Sequence, residues 1–285
     1  MSPSSRKQAA ARSERAGPAR RRALPSKRLQ DQVALVTGGG AGIGRATCLR
    51  LAAEGANVVL LARRERTGRV TLRMLERAGH RAEPVVGDVS VEADVERAAD
   101  ACILSFGRVD ILVANAGIEG PMRDITTVSV EEWDRLMAVN VRGVFLSARA
   151  VIPRMRTAGH GAIVVVSSNY AFAATPHTAP YCTSKGATLM LARALAVDLV
   201  RDNIRVNAVC PGNVDTPMFD RALKQQTDTP REAKAAAGRM ATPDEIASVI
   251  AFLASDEAAY MTGAAVVVDY GETARPGPVW GNPSF

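Results

Sequence analysis

A tyrosine, a lysine and a serine in the second half of the chain have the types and spacing that proton transfer at a carbonyl group needs. Tyr181 and Lys185 lie four residues apart in a segment predicted to be helical from Pro180, so their side chains share one face. A cation ~4 Å from a phenol, at an effective dielectric constant of ~20, contributes ~4 kcal/mol, or ~3 pKa units. We therefore expect Lys185 to lower the pKa of Tyr181 toward neutral pH, where general acid–base catalysis is efficient. Ser168, upstream, would add a hydroxyl group near the same reacting oxygen.

A glycine-rich turn over residues 37–44 lies between a predicted first strand and a predicted first helix. Glycines at this place let the backbone approach a pyrophosphate, and the N-terminus of the following helix favours its negative charge. Because the turn has this strand–turn–helix context, the sequence predicts a dinucleotide-binding site.

The residues after the second predicted strand indicate which dinucleotide is preferred. An acidic residue there commonly binds the adenosine ribose 2′-hydroxyl, but this chain has Arg63 and Arg64. A guanidinium suits a 2′-phosphate, so we expect NADP to be preferred, with NAD as the alternative. Arg63 could instead stack on the adenine, and Arg64 could be solvated surface. Asp88, after the third strand, could accept a hydrogen bond from the adenine amino group or cap the following helix.

The elements that must position these residues alternate between short apolar runs and longer amphipathic segments. This pattern predicts an α/β fold with a Rossmann-type, doubly wound parallel seven-stranded sheet in a single domain. Strands are predicted at 33–36, 57–61, 82–86, 111–114, 162–166, 205–209 and 265–268. Helices are predicted at 43–54, 68–78, 92–106, 130–155, 181–200 and 243–253. The polar segment 213–239 interrupts the pattern and is expected either to cover a cleft or to form surface helices.

The positive charge of the chain is concentrated at its N-terminus. Residues 1–28 contain nine Lys or Arg and one Glu, so the remaining residues carry −1 of the total charge of +7. We expect 1–28 to be a disordered basic extension, 29–273 to be the Rossmann-fold domain and 274–285 to be a C-terminal tail. An organelle transit peptide or an extended translation start would also explain the basic extension. The nearly neutral net charge of the residues after 28 argues against a nucleic-acid partner.

The remaining composition limits the class of protein further. No apolar run reaches the ~18 residues that cross a bilayer, and the N-terminus lacks the apolar core of a secretory signal. We therefore expect a soluble, cytoplasmic protein with no membrane partner. The cysteines show no metal-ligand spacing, so we predict neither a disulfide framework nor a metal site.

Several motifs together resemble the short-chain dehydrogenase/reductase family over about residues 33–271. The glycine turn resembles the family's TGxxxGxG, residues 115–117 its NAG segment, and Tyr181 with Lys185 its YxxxK pair. Asn140 resembles the family's helix asparagine, Ser168 its active-site serine, and the stretch 211–216 its nicotinamide-binding segment. The chain departs from the family at Gly40 and Ala41, where NADP-dependent members often have a basic residue. It departs again at Tyr270, which replaces a glycine of the common VDGG.

The resemblance implies hydride transfer between the nicotinamide C4 and a carbon that bears a hydroxyl or oxo oxygen. Tyr181 would be the general acid or base, and Lys185 would lower its pKa and bind the nicotinamide ribose. Ser168 would hydrogen-bond the substrate oxygen, and Asn140 would hold a water that links Lys185 to solvent. The residues predicted to bind the cofactor are Thr37, Gly38, Gly42, Ile43, Gly44, Arg63, Asp88, Val89, Asn115, Ala116, Gly117, Tyr181, Lys185, Pro211, Gly212, Val214 and Thr216.

The predicted substrate walls are apolar and carry no cluster of Lys or Arg that would mark a carboxylate or phosphate pocket. They span residues 119–123, 169–178 and the segment from Met218 onward, and their apolar members include Tyr170, Phe172, Met218 and Phe219. We therefore expect a neutral secondary alcohol or ketone as the substrate. A 3-oxoacyl-[acyl-carrier-protein] reductase, a glucose 1-dehydrogenase-like enzyme and a nucleotide-sensing scaffold protein remain alternatives. Family members commonly associate through their long helices, so the resemblance implies a homo-oligomer, either a homotetramer or a dimer.

Overall fold

The computed structural model describes residues 27–225 and 239–274, and the predicted extensions lie almost entirely outside them. The strands of the described part are β1 (Val33–Thr37), β2 (Asn57–Ala62), β3 (Ala82–Val86), β4 (Ile111–Ala114), β5 (Gly161–Val166), β6 (Ile204–Pro211) and β7 (Ala265–Val268). They form one parallel sheet in the order β3-β2-β1-β4-β5-β6-β7. The predicted Rossmann-type, single-domain α/β fold is confirmed.

The helices agree with the predicted pattern except at two places. They are α1 (Gly42–Ala53), α2 (Glu65–Arg77), α3 (Glu92–Phe106), α4 (Val130–Met137), α5 (Gly143–Ala158), α6 (Ala179–Leu199), α7 (Pro217–Lys224) and α8 (Pro243–Ala254). The prediction for α2 began three residues late because its first turn is polar and exposed, which leaves no apolar periodicity to detect. The helix predicted at 130–155 contains a π-helical segment, Ala138–Arg142, between α4 and α5.

The core lies in two layers, one on each face of the sheet. Helices α3, α5 and α6 contribute to the layer on one face, and α1, α2 and α8 contribute to the layer on the other. Central strands such as β1 and β5 are buried along their whole length, which explains their continuous apolar sequences. Burial of each large aliphatic side chain contributes ~1.5–3 kcal/mol, so these layers hold the strand ends in fixed positions.

One helix in the described part is long and apolar enough to cross a membrane. It runs over Val130–Ala158, through α4, the π-helical segment and α5, and 56% of its apolar window is buried in the protein. The helix packs against α3 and the central strands β4 and β5. We therefore attribute its apolar character to packing in the core.

The described packing begins at Arg28, the last residue of the predicted extension. The Arg28 guanidinium donates to both carboxylate oxygens of the buried Glu54, at 2.8 and 2.7 Å, and also pairs with Glu257. The next residue, Leu29, is fully buried. The chain thus packs against the domain from Arg28, one residue before the predicted start of the domain at Leu29.

The strand order defines where a ligand would bind. The chain moves outward in one direction from β1 to β3 and then in the other from β4 to β7, so the crevice between β1 and β4 is the topological switch point. Ligands of open α/β sheets bind at the carboxyl ends of the strands at this point. The loops after β1, β4, β5 and β6 all end there, and they carry most of the predicted site residues.

Candidate active site

The glycine turn after β1 is tied to the loop after β4 by two side chains. The Thr37 hydroxyl accepts hydrogen bonds from the backbone N–H groups of Asn115 at 3.0 Å and Ala116 at 3.1 Å. In return, the Asn115 side-chain amide donates to the Thr37 carbonyl at 2.9 Å. The predicted Asn115–Gly117 segment therefore holds the glycine turn beside the crevice.

Three of the glycines in this turn are required by its backbone conformation or by close packing. Gly38 and Gly42 have positive φ angles of +69° and +51°. A Cβ atom at Gly44 would lie 2.3 Å from the Gly38 carbonyl oxygen, and one at Gly42 would lie 3.1 Å from Thr216. Helix α1 begins here with neither a side-chain cap nor an acidic residue in its first turn. The bare backbone and the open helix N-terminus fit a dinucleotide pyrophosphate.

The adenosine end of the crevice is open and contains the predicted arginine. Arg63 and Arg64 follow β2, are exposed, and line a cavity together with Asp88 and Val89. Among the described residues, neither guanidinium makes a hydrogen bond or an ion pair. The Asp88 carboxylate accepts from the backbone N–H and the hydroxyl of Ser90, at 2.9 and 2.7 Å. One of its oxygens thus supports the turn before α3, but Asp88 is not the helix cap weighed for it, since the N-cap is Val91 and no side chain caps the helix.

Ser168, Tyr181 and Lys185 lie together at the wall of a cavity of about 280 Å³. Ser168 follows β5, and its hydroxyl accepts from the Tyr170 backbone N–H at 3.2 Å. Tyr181 is partly buried in the first turns of α6, where its ring meets that of Tyr170 edge-on at 5.9 Å. Lys185 is one turn further along and is buried, and its ammonium donates to the Val166 carbonyl at 3.1 Å.

The predicted direction of the Tyr181 pKa shift is wrong in this structure. Burial raises the pKa of Tyr181 to about 12, although the neighbouring Ser168 hydroxyl acts in the opposite direction. Burial also lowers the pKa of Lys185 to about 8. The Lys185 nitrogen is directed at the Val166 carbonyl and lies 5.6 Å from the centroid of the Tyr181 ring. Desolvation disfavours the charged form of both groups, and here it outweighs the attraction between the two charges.

Asn140 connects the loop after β4 to α6 from the π-helical segment. Its side chain is 1% exposed; the amide donates to the Ile118 carbonyl and to the Ser184 hydroxyl, each at 3.0 Å. Its oxygen accepts from the Ile118 N–H at 2.8 Å. A Cβ atom at Gly117 would lie 3.3 Å from this oxygen and 3.7 Å from the Lys185 nitrogen. Asn140 therefore supports the helix turn that carries Lys185, while a water held by Asn140 stays a prediction.

The nicotinamide end and the substrate cavity share one wall. Pro211, Gly212, Val214 and Thr216 line the same cavity as the catalytic residues. Thr216 also caps α7, since its hydroxyl accepts from the Phe219 N–H at 3.2 Å. The segment predicted to interrupt the fold thus begins with a helix at the cavity, whereas residues 226–238 lie outside the described part.

Helix α7 and the residue after it cover the cavity, and polar contacts join them to the loop after β4. The Arg221 guanidinium of α7 donates to both oxygens of Glu119, at 2.7 and 3.1 Å. Gln225 accepts from the Met122 N–H at 3.1 Å and donates to the Gly120 carbonyl at 3.2 Å. Apolar side chains beneath these contacts belong to Met122, Tyr170, Met218, Phe219 and Leu223. Phe172, predicted as a wall residue, is 49% exposed and does not line this cavity.

One buried acidic residue beside the site was absent from the sequence prediction. Glu272 follows β7 and is 4% exposed, and its carboxylate accepts from the Asn169 side-chain amide at 3.3 Å. Asn169 is the neighbour of Ser168 and was predicted only as part of a wall. No motif or periodicity marks Glu272, because its partner is 103 positions away in the sequence.

A family model described as "Enoyl-(Acyl carrier protein) reductase" matches residues 38–273 of this chain. The chain therefore belongs to the short-chain dehydrogenase/reductase family, as its motifs predicted. It is an oxidoreductase of the kind that acts on CH–OH groups with a nicotinamide cofactor, NAD or NADP. The predicted class of reaction, hydride transfer on an alcohol or ketone, is confirmed.

Individual relatives support the same class over nearly their whole length. Cyclopentanol dehydrogenase of Comamonas testosteroni is 43% identical over 253 residues, which are 87% of this chain and 99% of that protein. The crystal structure of levodione reductase has a TM-score of 0.83 at 36% identity and covers 87% of this chain and 100% of its own. A 3-ketoacyl-(acyl-carrier-protein) reductase from Brucella melitensis, complexed with NADH, has a TM-score of 0.79 at 37% identity, covering 85% and 98%.

Proposed function

We propose that this protein is an NADP(H)-preferring enzyme that interconverts a small, neutral secondary alcohol and its ketone. The observation that carries the proposal is the placement of Ser168, Tyr181 and Lys185 at one wall of a cavity with an apolar cover. The glycine turn lies at the other side of the same cavity. A bound nicotinamide would supply or accept the hydride, and the residues of the chain would bind the substrate and move the proton.

Each catalytic residue has one task in this proposal. The Ser168 hydroxyl hydrogen-bonds the substrate oxygen and stabilises charge that develops on it. Tyr181 gives a proton to that oxygen during reduction and takes it during oxidation. Because burial raises its pKa, Tyr181 is protonated at neutral pH and ready to act as an acid. Lys185 binds the nicotinamide ribose from beneath Tyr181, and Asn140 supports Lys185 through Ser184.

The cavity favours a small alicyclic or branched neutral substrate. Its cover is formed by Met122, Met218, Phe219 and Leu223, while the charges of Glu119 and Arg221 neutralise each other. Apart from Lys185, which is assigned here to the nicotinamide ribose, no cation in the described wall is left to bind a carboxylate or phosphate of the substrate. The similarity to a cyclopentanol dehydrogenase supports a ring substrate of this size. A 3-oxoacyl-[acyl-carrier-protein] reductase and a glucose 1-dehydrogenase-like enzyme are the alternatives.

The preference for NADP over NAD rests on Arg63. It is exposed at the adenosine end of the crevice, and its guanidinium makes no contact with another described residue that would neutralise it. No acidic residue follows β2 to bind a ribose 2′-hydroxyl. The relative from Brucella melitensis was crystallised with NADH, so the competing cofactor is a real alternative for this fold.

We also propose that the protein is a cytoplasmic homo-oligomer, with a domain over 29–273 between the basic extension and the C-terminal tail. Phe145 on α5 and Met190 and Val197 on α6 are 46%, 60% and 75% exposed. Such residues on the two long helices would be covered by a second copy. Light scattering coupled to size exclusion should give a tetramer or dimer, and a monomer at micromolar concentration would contradict this assembly.

The first experiment is a fluorescence titration of the purified protein with NADPH and NADH, followed by a panel of substrates. We expect tighter binding of NADPH and turnover of small cyclic alcohols or ketones above that of acyl thioesters and glucose. Tighter binding of NADH would refute the role of Arg63. Cofactor binding without turnover of any substrate would favour a nucleotide-sensing scaffold.

A further inference from the structure

The segment after β7 places a carboxylate inside the protein beside the active site. The Asp269 carboxylate accepts from the Gly271 and Thr273 N–H groups at 3.0 and 2.8 Å and from the Thr273 hydroxyl at 2.7 Å. Tyr270 adopts a left-handed conformation with φ of +56° in this turn. The turn directs the side chain of Glu272 inward, where it is 4% exposed.

The Glu272 carboxylate reaches Ser168 through one intervening side chain. The Asn169 amide nitrogen donates to Glu272 Oε2 at 3.3 Å, and the Ser168 hydroxyl donates to Asn169 Oδ1 at 3.2 Å. Asn169 is itself 4% exposed. Ser168 and Tyr181 line the same cavity. A continuous chain of hydrogen-bonded side chains therefore links the segment after β7 to Ser168, beside the catalytic tyrosine.

The carboxylate determines which way the Asn169 amide faces. An ionised carboxylate can only accept hydrogen bonds, so it selects the NH₂ end of the amide. The oxygen end of Asn169 must then face Ser168, where it competes with the reacting oxygen for the hydroxyl proton. If the amide turned over, its NH₂ group would face Ser168 instead, and the hydroxyl would lose this partner.

We propose that Glu272 is a positioning residue for the reaction, which orients the Ser168 hydroxyl through the Asn169 amide. It touches neither the substrate cavity nor the reacting atoms, since Glu272 does not line the cavity, whereas Ser168 and Asn169 do. Its carboxylate also lies against the nicotinamide-binding stretch, because a Cβ atom at Gly212 would be 3.0 Å from Oε2. The proposal rests on the function proposed above for Ser168 and Tyr181.

The consequence of this orientation is seen at Tyr181. Ser168 lowers the pKa of Tyr181, against the larger effect of burial, because a hydroxyl proton that it donates stabilises the phenolate. The structure directs that proton to Asn169, so loss of this acceptor frees the proton for Tyr181 and lowers the pKa of Tyr181 further. The other titratable groups that face Tyr181 are Lys185 and Cys182 on its own helix, Tyr170 after β5 and Glu119 after β4. Among these groups, Tyr170 is affected by Glu272: burial raises the pKa of Tyr170, the charge of Glu272 raises it further, and Glu272→Gln removes this charge as Glu272→Ala does.

The test uses Glu272→Ala, Glu272→Gln and Asn169→Ala in the full chain, with alcohol oxidation followed from pH 6 to 10. We expect Glu272→Ala and Asn169→Ala to lower kcat ~10-fold. Both should also move the acid limb of the rate profile to lower pH by ~0.5 unit or more, because oxidation needs ionised Tyr181 and the released Ser168 proton stabilises it. Glu272→Gln keeps an oxygen that accepts from Asn169 and should retain most of kcat. Cofactor Kd should change little in all three.

Thr273→Val is the matched control for a general loosening of the turn after β7. It removes the hydrogen bond to Asp269 but leaves Glu272 and Asn169 intact, so it should lower Tm without moving the acid limb. An acid limb that stays in place in Glu272→Ala would overturn the proposal. An equal shift in Thr273→Val would overturn it as well, since a general effect of the turn would then suffice.

A second measurement separates this proposal from the proposed function. Melting temperatures of Glu272→Ala, Asn169→Ala and the double variant report their contact without any need for turnover. We expect the double variant to melt near the less stable single variant, because the two substitutions remove one shared contact. Additive losses would show that Glu272 and Asn169 act independently and would refute the chain. Absence of turnover in the unaltered protein would instead refute the proposed function.

Discussion

The catalytic wall and the adenosine end of the same crevice are built in opposite ways. At the wall, Lys185 and Asn140 are at most 5% exposed, and their polar atoms are bound by backbone carbonyls, a backbone N–H and Ser184. At the adenosine end, Arg63 and Arg64 are exposed, and their guanidinium groups make no hydrogen bond or ion pair with another described residue. The polar atoms of the first region are bound within the protein before any ligand binds, whereas the second region supplies charge at the end of β2.

The difference follows from the work that each region does. Proton transfer requires the donor to lie within hydrogen-bond reach of the reacting oxygen, so its side chain must be held in advance. A 2′-phosphate carries enough charge to attract a mobile guanidinium, so that contact forms on binding. Burial at the wall disfavours the charged forms of both residues, because it raises the pKa of Tyr181 and lowers the pKa of Lys185.

The largest expected effect is at the wall. Tyr181→Phe should lower turnover by ~100-fold or more, the scale expected for loss of a general acid or base, while cofactor Kd stays nearly constant. Steady-state kinetics and fluorescence titration measure the two quantities. Tyr170→Phe is the matched control, since its ring touches Tyr181 and its hydroxyl faces Thr175. Near-normal turnover in Tyr181→Phe would refute the assignment of the proton donor.

A smaller effect, confined to one cofactor, is expected at the adenosine end. Arg63→Ala should weaken NADPH binding by ~10-fold or more and NADH binding only slightly, because a charge-assisted hydrogen bond contributes ~1.5–3 kcal/mol. Arg64→Ala is the control for a general loss of positive charge. Equal losses for both cofactors in Arg63→Ala would mean that Arg63 packs on the adenine instead.

The smallest expected effect is on the free energy of unfolding, which the buried Lys185 ammonium lowers. Lys185→Met should raise the free energy of unfolding at pH 7 by ~1–2 kcal/mol, because one pKa unit corresponds to ~1.4 kcal/mol and a hydrogen bond to Val166 is lost. The folded-state pKa of Lys185 is depressed from 10.5 to about 8, so the unfolded chain binds the proton more tightly. The cost is therefore full below pH 8 and decreases as the pH rises toward 10.5.

Urea unfolding at pH 7 and pH 10 measures this effect, with the exposed Lys224→Met as the control. The advantage of Lys185→Met should shrink at the higher pH. An unchanged or lower stability at pH 7 would mean that the buried ammonium is better satisfied than its single carbonyl contact indicates.

Most of the fold and many of the site residues were predictable from local patterns. The strand bounds agree within about one residue for most strands, because short β-branched runs alternate with amphipathic segments. The glycine turn and the Tyr181–Lys185 pair are local too, since their geometry depends on residues that are neighbours in sequence. The π-helical segment around Asn140 was missed because its apolar pattern does not differ from that of the flanking helices.

The sequence by itself therefore determined the parallel α/β architecture, the family and the residues that surround the cofactor crevice. Only the tertiary structure decided the directions of the Tyr181 and Lys185 pKa shifts and the chain from Glu272 through Asn169 to Ser168. Spacing along a helix or a turn is fixed by backbone geometry over a few residues. Desolvation and hydrogen bonds between segments 103 positions apart depend on how the whole chain packs, which no local pattern contains.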